Sequence, residues 1–502
     1  MTTTELLPPE GGSHGVGAPA GGSHEIAAPE GGGNGIATPV QRHSVWSTLR
    51  EAIRGSHQDY TEAPIGRAVV LLAVPMVLEM LMESVFLVVD VFFVGKLGAD
   101  AITTVGVTES LMILIYAAAM GLSIGASAMV ARRIGERDRE AAAHAGAQAI
   151  LIGVVFGAVI GVIGALLAPQ LLGIMGASDD VIRTGSTFAR VMLGASGNVL
   201  LLFLINAVFR GAGDAAIAMR VLWFANAINI VLGPCLIFGI GPFPELGVTG
   251  AAVGTSVGRG CGVLLQLYCL TRPGGRIRVR LPHWYFDPTV MRGILRISGT
   301  AVFQNFIGSA SWVGLVRILA GFGSTAVAGN TIGIRIILFA ILPAVGVGSA
   351  AATLVGQNLG AGKPERAEAA AWKAGFYNML CLGAIGAVFL LFAPQLISFF
   401  TDDPEVATYA VRCLRIVAAG FPFYGYQLVL SFAFNGAGDP WTPTWINLGC
   451  MWLLELPLAW ALAHPLGFGP TGVFIAVNVA FSLLALVSAV LFSRGTWKTK
   501  RV

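Results

Sequence analysis

The sequence predicts an all-α polytopic membrane protein: twelve transmembrane helices in two six-helix lobes related by a parallel repeat. Three observations carry this. The 502 residues are 55% hydrophobic and only 12% charged, with a mean hydropathy of +0.76, against about 25% charge in soluble domains. Apolar stretches as long as the ~20 residues that a helix needs to cross hydrocarbon recur twelve times. And the word FRGAGD at 209–214 returns as FNGAGD at 434–439, 225 positions later.

Taken in order, residues 1–63 read as a disordered cytoplasmic tail. Within it, 8–39 carries a ten-residue beat, APAGGSHEIA then APEGGGNGIA, too poor in apolar residues to build a core. It lacks the basic start and apolar centre of a signal peptide. His14 and His24 are spaced in this tract without a second ligand pattern and read as incidental. The N-terminal lobe, 64–272, holds spans at 67–95, 105–130, 142–168, 181–209, 215–240 and 246–271. A cytoplasmic linker follows at 273–289. The C-terminal lobe, 290–493, holds spans at 290–320, 325–354, 367–396, 405–434, 440–464 and 468–492, and 494–502 is a basic cytoplasmic tail.

The offset of 225 pairs more than the opening word. It matches Arg67 with Arg292, Gly98 with Gly323, Ala101 with Ala326, Gly121 with Gly346, Val130 with Val355, Gly135 with Gly360, and APQL at 168–171 with APQL at 393–396. One register held across two halves is the mark of internal duplication. Six spans per half is an even number, so both halves enter the membrane in the same direction and are related by an axis along its normal.

Orientation follows from Lys and Arg in short loops. Arg132, Arg133, Arg137 and Arg139 lie between spans two and three, Arg272, Arg276, Arg278 and Arg280 between six and seven, and Lys363 and Arg366 between eight and nine. Loops of the other parity, GPFPELG and HPLGFGP, carry neither residue, and TDDPEVA is acidic. Both termini are therefore expected in the cytoplasm, and the net charge of +4 needs no nucleic-acid partner. Six cysteines without CxxC spacing read as packing residues. No HExxH or metal-spaced His/Cys set marks an enzyme, a metal site or a bound cofactor.

An ionisable side chain inside a span is a functional candidate by default, because burying its charge there costs a few kcal/mol. Glu79, Glu83 and Asp90 fall within about 60° of one another at 100° per residue, one polar stripe on the first span. Pro75, one turn earlier, removes a helical hydrogen bond and lets the span bend. The counterparts at +225 are Gln304, Gly308 and Leu315, so the cation site is expected in the N-terminal lobe, although Glu79 and Glu83 also suit a water-filled cleft. Glu455, near Pro457, with Gln304, Tyr424 and Gln427, forms a candidate cavity set in the C-terminal lobe. Arg317 and Arg335 read either as pathway charges or as snorkelling residues. Trp312, Phe421, Phe423, Tyr424, Tyr426 and Trp452 suit a drug cavity or lipid contact. In the repeated word, Gly211 and Gly213 are expected to end a helix at positive φ and Asp214 to cap the next; no Lys-Ser/Thr follows to make a phosphate loop.

With these words in place, LVGQNLGAGKPERA at 354–367, the paired GAGD and LAVPMVLEMLMESVFLVVDVFFVGKLG at 72–98 resemble the multidrug and toxic compound extrusion (MATE) family, from about residue 67 to the last span. The resemblance implies a V-shaped antiporter of the plasma membrane, read here as a monomer, that exports organic, often cationic and amphipathic compounds against H⁺ or Na⁺. Lipid-linked oligosaccharide flippases share the broader fold and are the rival reading. Asp90 aligns with the family's first-helix aspartate in D-x-x-x-V-G, Asn229 with its asparagine and Thr255 with its threonine. The family's N-x-x-L-D-P reads NIVLGP here, with Gly233 in place of the second aspartate. That departure favours H⁺ over Na⁺, because hard cations want several oxygen ligands and carboxylate charge.

Overall fold

The computed structural model describes residues 44–56 and 58–500; the low-complexity tract with His14 and His24 lies outside the described residues. Among the described residues the chain is helical throughout, with no strand. The N-terminal half holds α1 (Val45–Arg54), α2 (Ile65–Gly95), α3 (Ala99–Gly135), α4 (Arg139–Ile174), α5 (Asp179–Gly194), α6 (Ser196–Ala212), α7 (Ala215–Phe238) and α8 (Val248–Thr271). The C-terminal half holds α9 (Pro288–Ala320), α10 (Ser324–Gly360), α11 (Pro364–Ser398), α12 (Pro404–Ala419), α13 (Phe421–Gly436), α14 (Trp441–Asn447), a π-helical stretch (Leu448–Glu455), α15 (Leu456–Ala463) and α16 (Pro470–Ser493).

Each of the twelve expected spans falls on this helical framework. Ten helices are long and apolar enough to cross a membrane, and α12 with α13, bent by 60°, makes an eleventh. The remaining expected span is α2, 31 residues long, which carries the three acids. The reading of 1–63 as tail is corrected at its end. Residues 45–54 form the short amphipathic helix α1, tied to α2 by an Arg67–Glu51 ion pair of 2.6 Å. Ten residues with one apolar face are too few to stand out beside the tract before them.

The repeat is visible in the geometry. Helices α3 and α10 start and end 225 residues apart, as do α5 and α12, and α4 and α11 start at the same offset. The recurring glycines explain why the register persisted. Gly121 backs onto Val302 and Ser298 of α9, and Gly346 onto Met76 and Val77 of α2, each too close for a Cβ. Gly135 meets the carbonyl of Gln357, and Gly360 that of Arg132, again partners 225 apart. These contacts join the two halves at the ends of α3 and α10 that carry the basic loops, and only glycine lets the backbones approach so closely. Toward the opposite ends, Gly95, Gly98, Gly106 and Gly323 have open space where a Cβ would stand. The close backbone contacts between the halves at Gly135 and Gly360 therefore lie on the basic face.

The GAGD words divide their labour, which corrects the expectation for Gly211. Gly213 and Gly438 take φ of 84° and 83° and turn the chain. Gly211 and Gly436 stay helical and press on the backbones of Ser127 and Ala352, seating α6 on α3 and α13 on α10.

Nor is the 273–289 linker a free tether. It docks on α4: Gln148 donates to the Tyr285 carbonyl at 2.7 Å, His144 stacks on Tyr285 at 4.3 Å, and His283 lies 2.7 Å from Glu140. Asp287 caps α9 by accepting from the Thr289 and Val290 amides.

Candidate cation and substrate sites

The acids of α2 point into their own lobe, each toward a different neighbour. Glu79, 2% exposed, accepts from Asn206 at 3.0 Å and lies 3.6 Å from the Arg210 guanidinium, both on α6. Glu83 accepts from Asn226 of α7 at 3.2 Å and lies 3.6 Å from Arg259 of α8. Arg259 is itself buried, packed over the rings of Phe86 and Tyr116. A charge leaves water only when it is paired and hydrogen-bonded, and both glutamates meet that condition. Glu79 is closed off from solvent, and Glu83 keeps a partly exposed edge.

Asp90 differs. It lines a small pocket of ≈ 20 Å³ with Thr108 and Glu109 of α3, Phe188 and Met192 of α5, and Ala251 and Thr255 of α8. Asn229 donates to Thr255 at 2.7 Å, so the asparagine and threonine expected from the resemblance are together, and Thr255 carries them to the Asp90 pocket. Among the described residues Asp90 makes no hydrogen bond to either. Thr108 donates to the Thr104 carbonyl at 2.8 Å. A Cβ on Gly233 would meet only the Asn229 side-chain oxygen, at 3.5 Å. The helix runs unbroken through Pro75, with the next turn, Met76–Val77, held against Gly346.

Arg210, Arg259 and Glu109 were not among the sequence candidates. A signal existed for Arg210: it is the one letter that distinguishes FRGAGD from FNGAGD.

A second cavity, of ≈ 110 Å³, lies between the halves. Its wall is built from repeat-related pairs: Met80 with Asn305, Met120 with Val345, Ile124 with Ser349, Ser127 with Ala352, and Arg210 with Asn435. Residues 225 apart that face one space place it on the axis relating the lobes. Phe203 and Phe432 supply its aromatic surface. Arg210 is its one charged lining residue among those described, and Glu79 balances that charge from behind. Two buried polar atoms on the wall, Ser123 Oγ and Asn435 Oδ1, have no protein partner.

The C-terminal set does not line this cavity. Phe421 and Tyr424 are buried in the lobe core, because α13 turns that face toward α12 and α16. Gln427 donates to Ser431 one turn along its own helix. Gln304 is buried with an unpartnered oxygen, and its neighbour Asn305 takes the place on the wall. Phe423 and Trp452 are exposed. Glu455 is buried beside Ser311 of α9, 3.0 Å away. Arg317 and Arg335 are exposed.

Relatives with experimental or curated descriptions agree with this architecture. A protein described as probable multidrug resistance protein YoeA of Bacillus subtilis is 25% identical over 89% of this chain and 97% of its own length. The probable multidrug resistance protein NorM of Thermotoga maritima is 25% identical over 90% and 98%, and a FAD transporter of Shewanella oneidensis 26% identical over 86% and 95%. A solved structure described as the outward-facing conformation of a multidrug resistance MATE family transporter superposes with a TM-score of 0.82 at 24% identity, covering 88% of this chain and 98% of that one. The MatE family model matches twice, at residues 75–235 and 301–461, one match per lobe. With both halves so matched, the chain belongs to the MatE family of membrane transporters.

Proposed function

We propose that this protein exports amphipathic organic molecules from the cytoplasm across the plasma membrane in exchange for H⁺, as a monomer with both termini in the cytoplasm. The observation that carries the coupling is the Asp90 pocket. It is the least tied of the three acids of α2: Glu79 and Glu83 are neutralised by Arg210 and Arg259, whereas Asp90 faces a space of about one water molecule.

The oxygens around it suit a proton better than Na⁺. Thr255 already takes the Asn229 amide and Thr108 is tied to its own helix, whereas a hard cation needs several free ligands. Protonation removes the charge of Asp90, and with it the reason for α2 to hold that face toward polar groups of α3 and α8. The turn ending at Pro75, which lacks the bond from position 75 to the Leu71 carbonyl, is where α2 yields. Met80 lies on the same helix and on the central cavity wall, so a movement of α2 reshapes the substrate space. Inward protons release about 1.4 kcal/mol per pH unit, and about 2.3 kcal/mol per charge per 100 mV if the exchange moves net charge.

The cavity wall supports an apolar substrate with hydrogen-bonding groups. A cationic substrate, the class the resemblance implies, meets Glu79 only by displacing Arg210. Relatives are named for multidrug resistance and for FAD; the pyrophosphate of FAD is anionic and would meet Arg210 directly. The test is uptake of a fluorescent amphipathic cation, and separately of FAD, into inside-out proteoliposomes under an imposed pH gradient or an imposed Na⁺ gradient. Accumulation driven by the pH gradient alone is the expected result. Accumulation driven by Na⁺ alone overturns the proton assignment, and translocation of a lipid-linked sugar without either gradient favours a flippase.

A further inference from the structure

The eleventh span breaks the repeat by one residue. Up to its start the halves correspond at 225, as Gly211 on Ser127 and Gly436 on Ala352 show. At its far end the offset is 226: Gly250 presses on Leu236 and Ile237, while Gly472, its counterpart on the twelfth span 222 positions later, presses on Leu462 and Ala463. The added residue is accommodated in the π-helical stretch Leu448–Glu455, where each turn closes on i+5 and so holds one more residue than an α-turn. Such stretches are rare and frequently sit at functional sites. Glu455, which closes the stretch, falls opposite Asn229 of the N-terminal lobe.

Its surroundings contain no cation. Glu455 is 2% exposed, its Oε1 has no hydrogen-bond partner, and no Lys or Arg among the described residues pairs with it, unlike Glu79 and Glu83. The titratable groups nearest it are Tyr424 of α13 and Cys450 of its own stretch. Helices α14, α15 and α16 bring no acidic or basic side chain except His464 at the far end of α15, and the nearest charge of α9 is the exposed Arg317.

The remaining contacts decide its state. Ser311 Oγ lies 3.0 Å from Glu455 Oε2 and 3.1 Å from the Met451 carbonyl. A hydroxyl has one hydrogen to donate, so a carboxylate would leave one of these two acceptor contacts without a proton. A carboxylic acid satisfies both: Glu455 donates to Ser311, and Ser311 donates to Met451. We propose that Glu455 is a second proton-carrying site, in the C-terminal lobe, protonated in this conformation. The proton is taken from and returned to water. Its loss leaves two acceptors competing for one hydrogen and weakens the tie between α9 and the π stretch, which a Trp452–Ile307 hydrogen bond of 3.1 Å also makes. The role in coupling rests on the antiport reading; the protonation does not.

Infrared spectra of the reconstituted protein at neutral pH, in water and in D2O, test the protonation without any transported substrate. Glu455→Gln is expected to remove one protonated-carboxyl C=O band that shifts in D2O, and Ser311→Ala to move that band without removing it. A carboxyl region that neither substitution alters overturns the proposal. Fewer protons exported per substrate molecule in Glu455→Gln, with Asp90 intact, supports the coupling role; an unchanged ratio overturns that role. Absence of all transport from the parental protein overturns the antiport reading alone, since the infrared band is read independently of it.

Discussion

At the scale of single residues, the chemistry of α2 was legible as letters but not as partners. Three acids at helical spacing name the stripe. Nothing in their spacing says that Glu79 meets a side chain 127 positions away, or that Glu83 meets one 143 positions away. Asp90→Asn mimics the protonated state, so the protein should fold as the parent does and lose export driven by a pH gradient. Export at the parental rate in proteoliposomes would place the proton elsewhere. Gly233→Asp has room for its side chain and restores the family's second carboxylate, so transport should become sensitive to Na⁺. Arg259→Met leaves the half-buried Glu83 without its cation, a loss below the ~3–5 kcal/mol of a fully buried pair, visible as a lower unfolding temperature in detergent. The double change with Glu83→Gln removes the stranded charge and should recover most of that loss.

At the scale of elements, the glycines that reveal the repeat are contact points rather than flexible ones. Gly360→Ala drives a Cβ into the Arg132 carbonyl, and Gly135→Ala one into Gln357. Either should separate the ends of α3 and α10, raising hydrogen exchange in the loops at 135–139 and 360–363; unchanged exchange would mean that this face adapts. The linker gives a pH-dependent prediction. Amide hydrogen bonds, Val290 first, hold the Asp287 carboxyl below the usual range, assisted by His144. A lowered carboxylate pKa contributes stability that is present above the unfolded value and lost as pH falls through the folded one. Docking of the linker on α4 should therefore persist through the ordinary carboxylate range and fail only below it, read as hydrogen exchange at 280–290 across acid pH.

At the scale of the whole molecule, two lobes joined by close backbone contacts on the basic face suit alternating access by rocking about the repeat axis. Ties on that face come from both ends of the chain. Arg276 reaches the Ser56 carbonyl at 2.9 Å, Lys363 reaches that of Thr61 at 3.0 Å, and Arg132 bonds the Lys500 carbonyl. In a background without the six native cysteines, one cysteine in each of the loops at 136–139 and 361–363, leaving Gly135 and Gly360 in place, joins ends that already lie together. The oxidised protein should bind substrate and not transport it, and reduction should restore transport. Full transport with the disulfide verified would rule out rocking at this face.

The sequence by itself determined the fold class, the position of every span, the duplication and the placing of the basic loops on one face. These are readable because hydrophobic period, loop charge and repeated words are local properties of a chain. Tertiary structure alone decided which acids are neutralised, by placing Arg210 and Arg259 against Glu79 and Glu83. It also decided which aromatics face the cavity, taking Phe203 and Phe432 in place of Tyr424 and Phe421. A constant offset of 225 would set Glu455 opposite Ile230; the added residue of the π stretch moves it opposite Asn229, because helical register is settled by which backbones touch, not by counting along the chain.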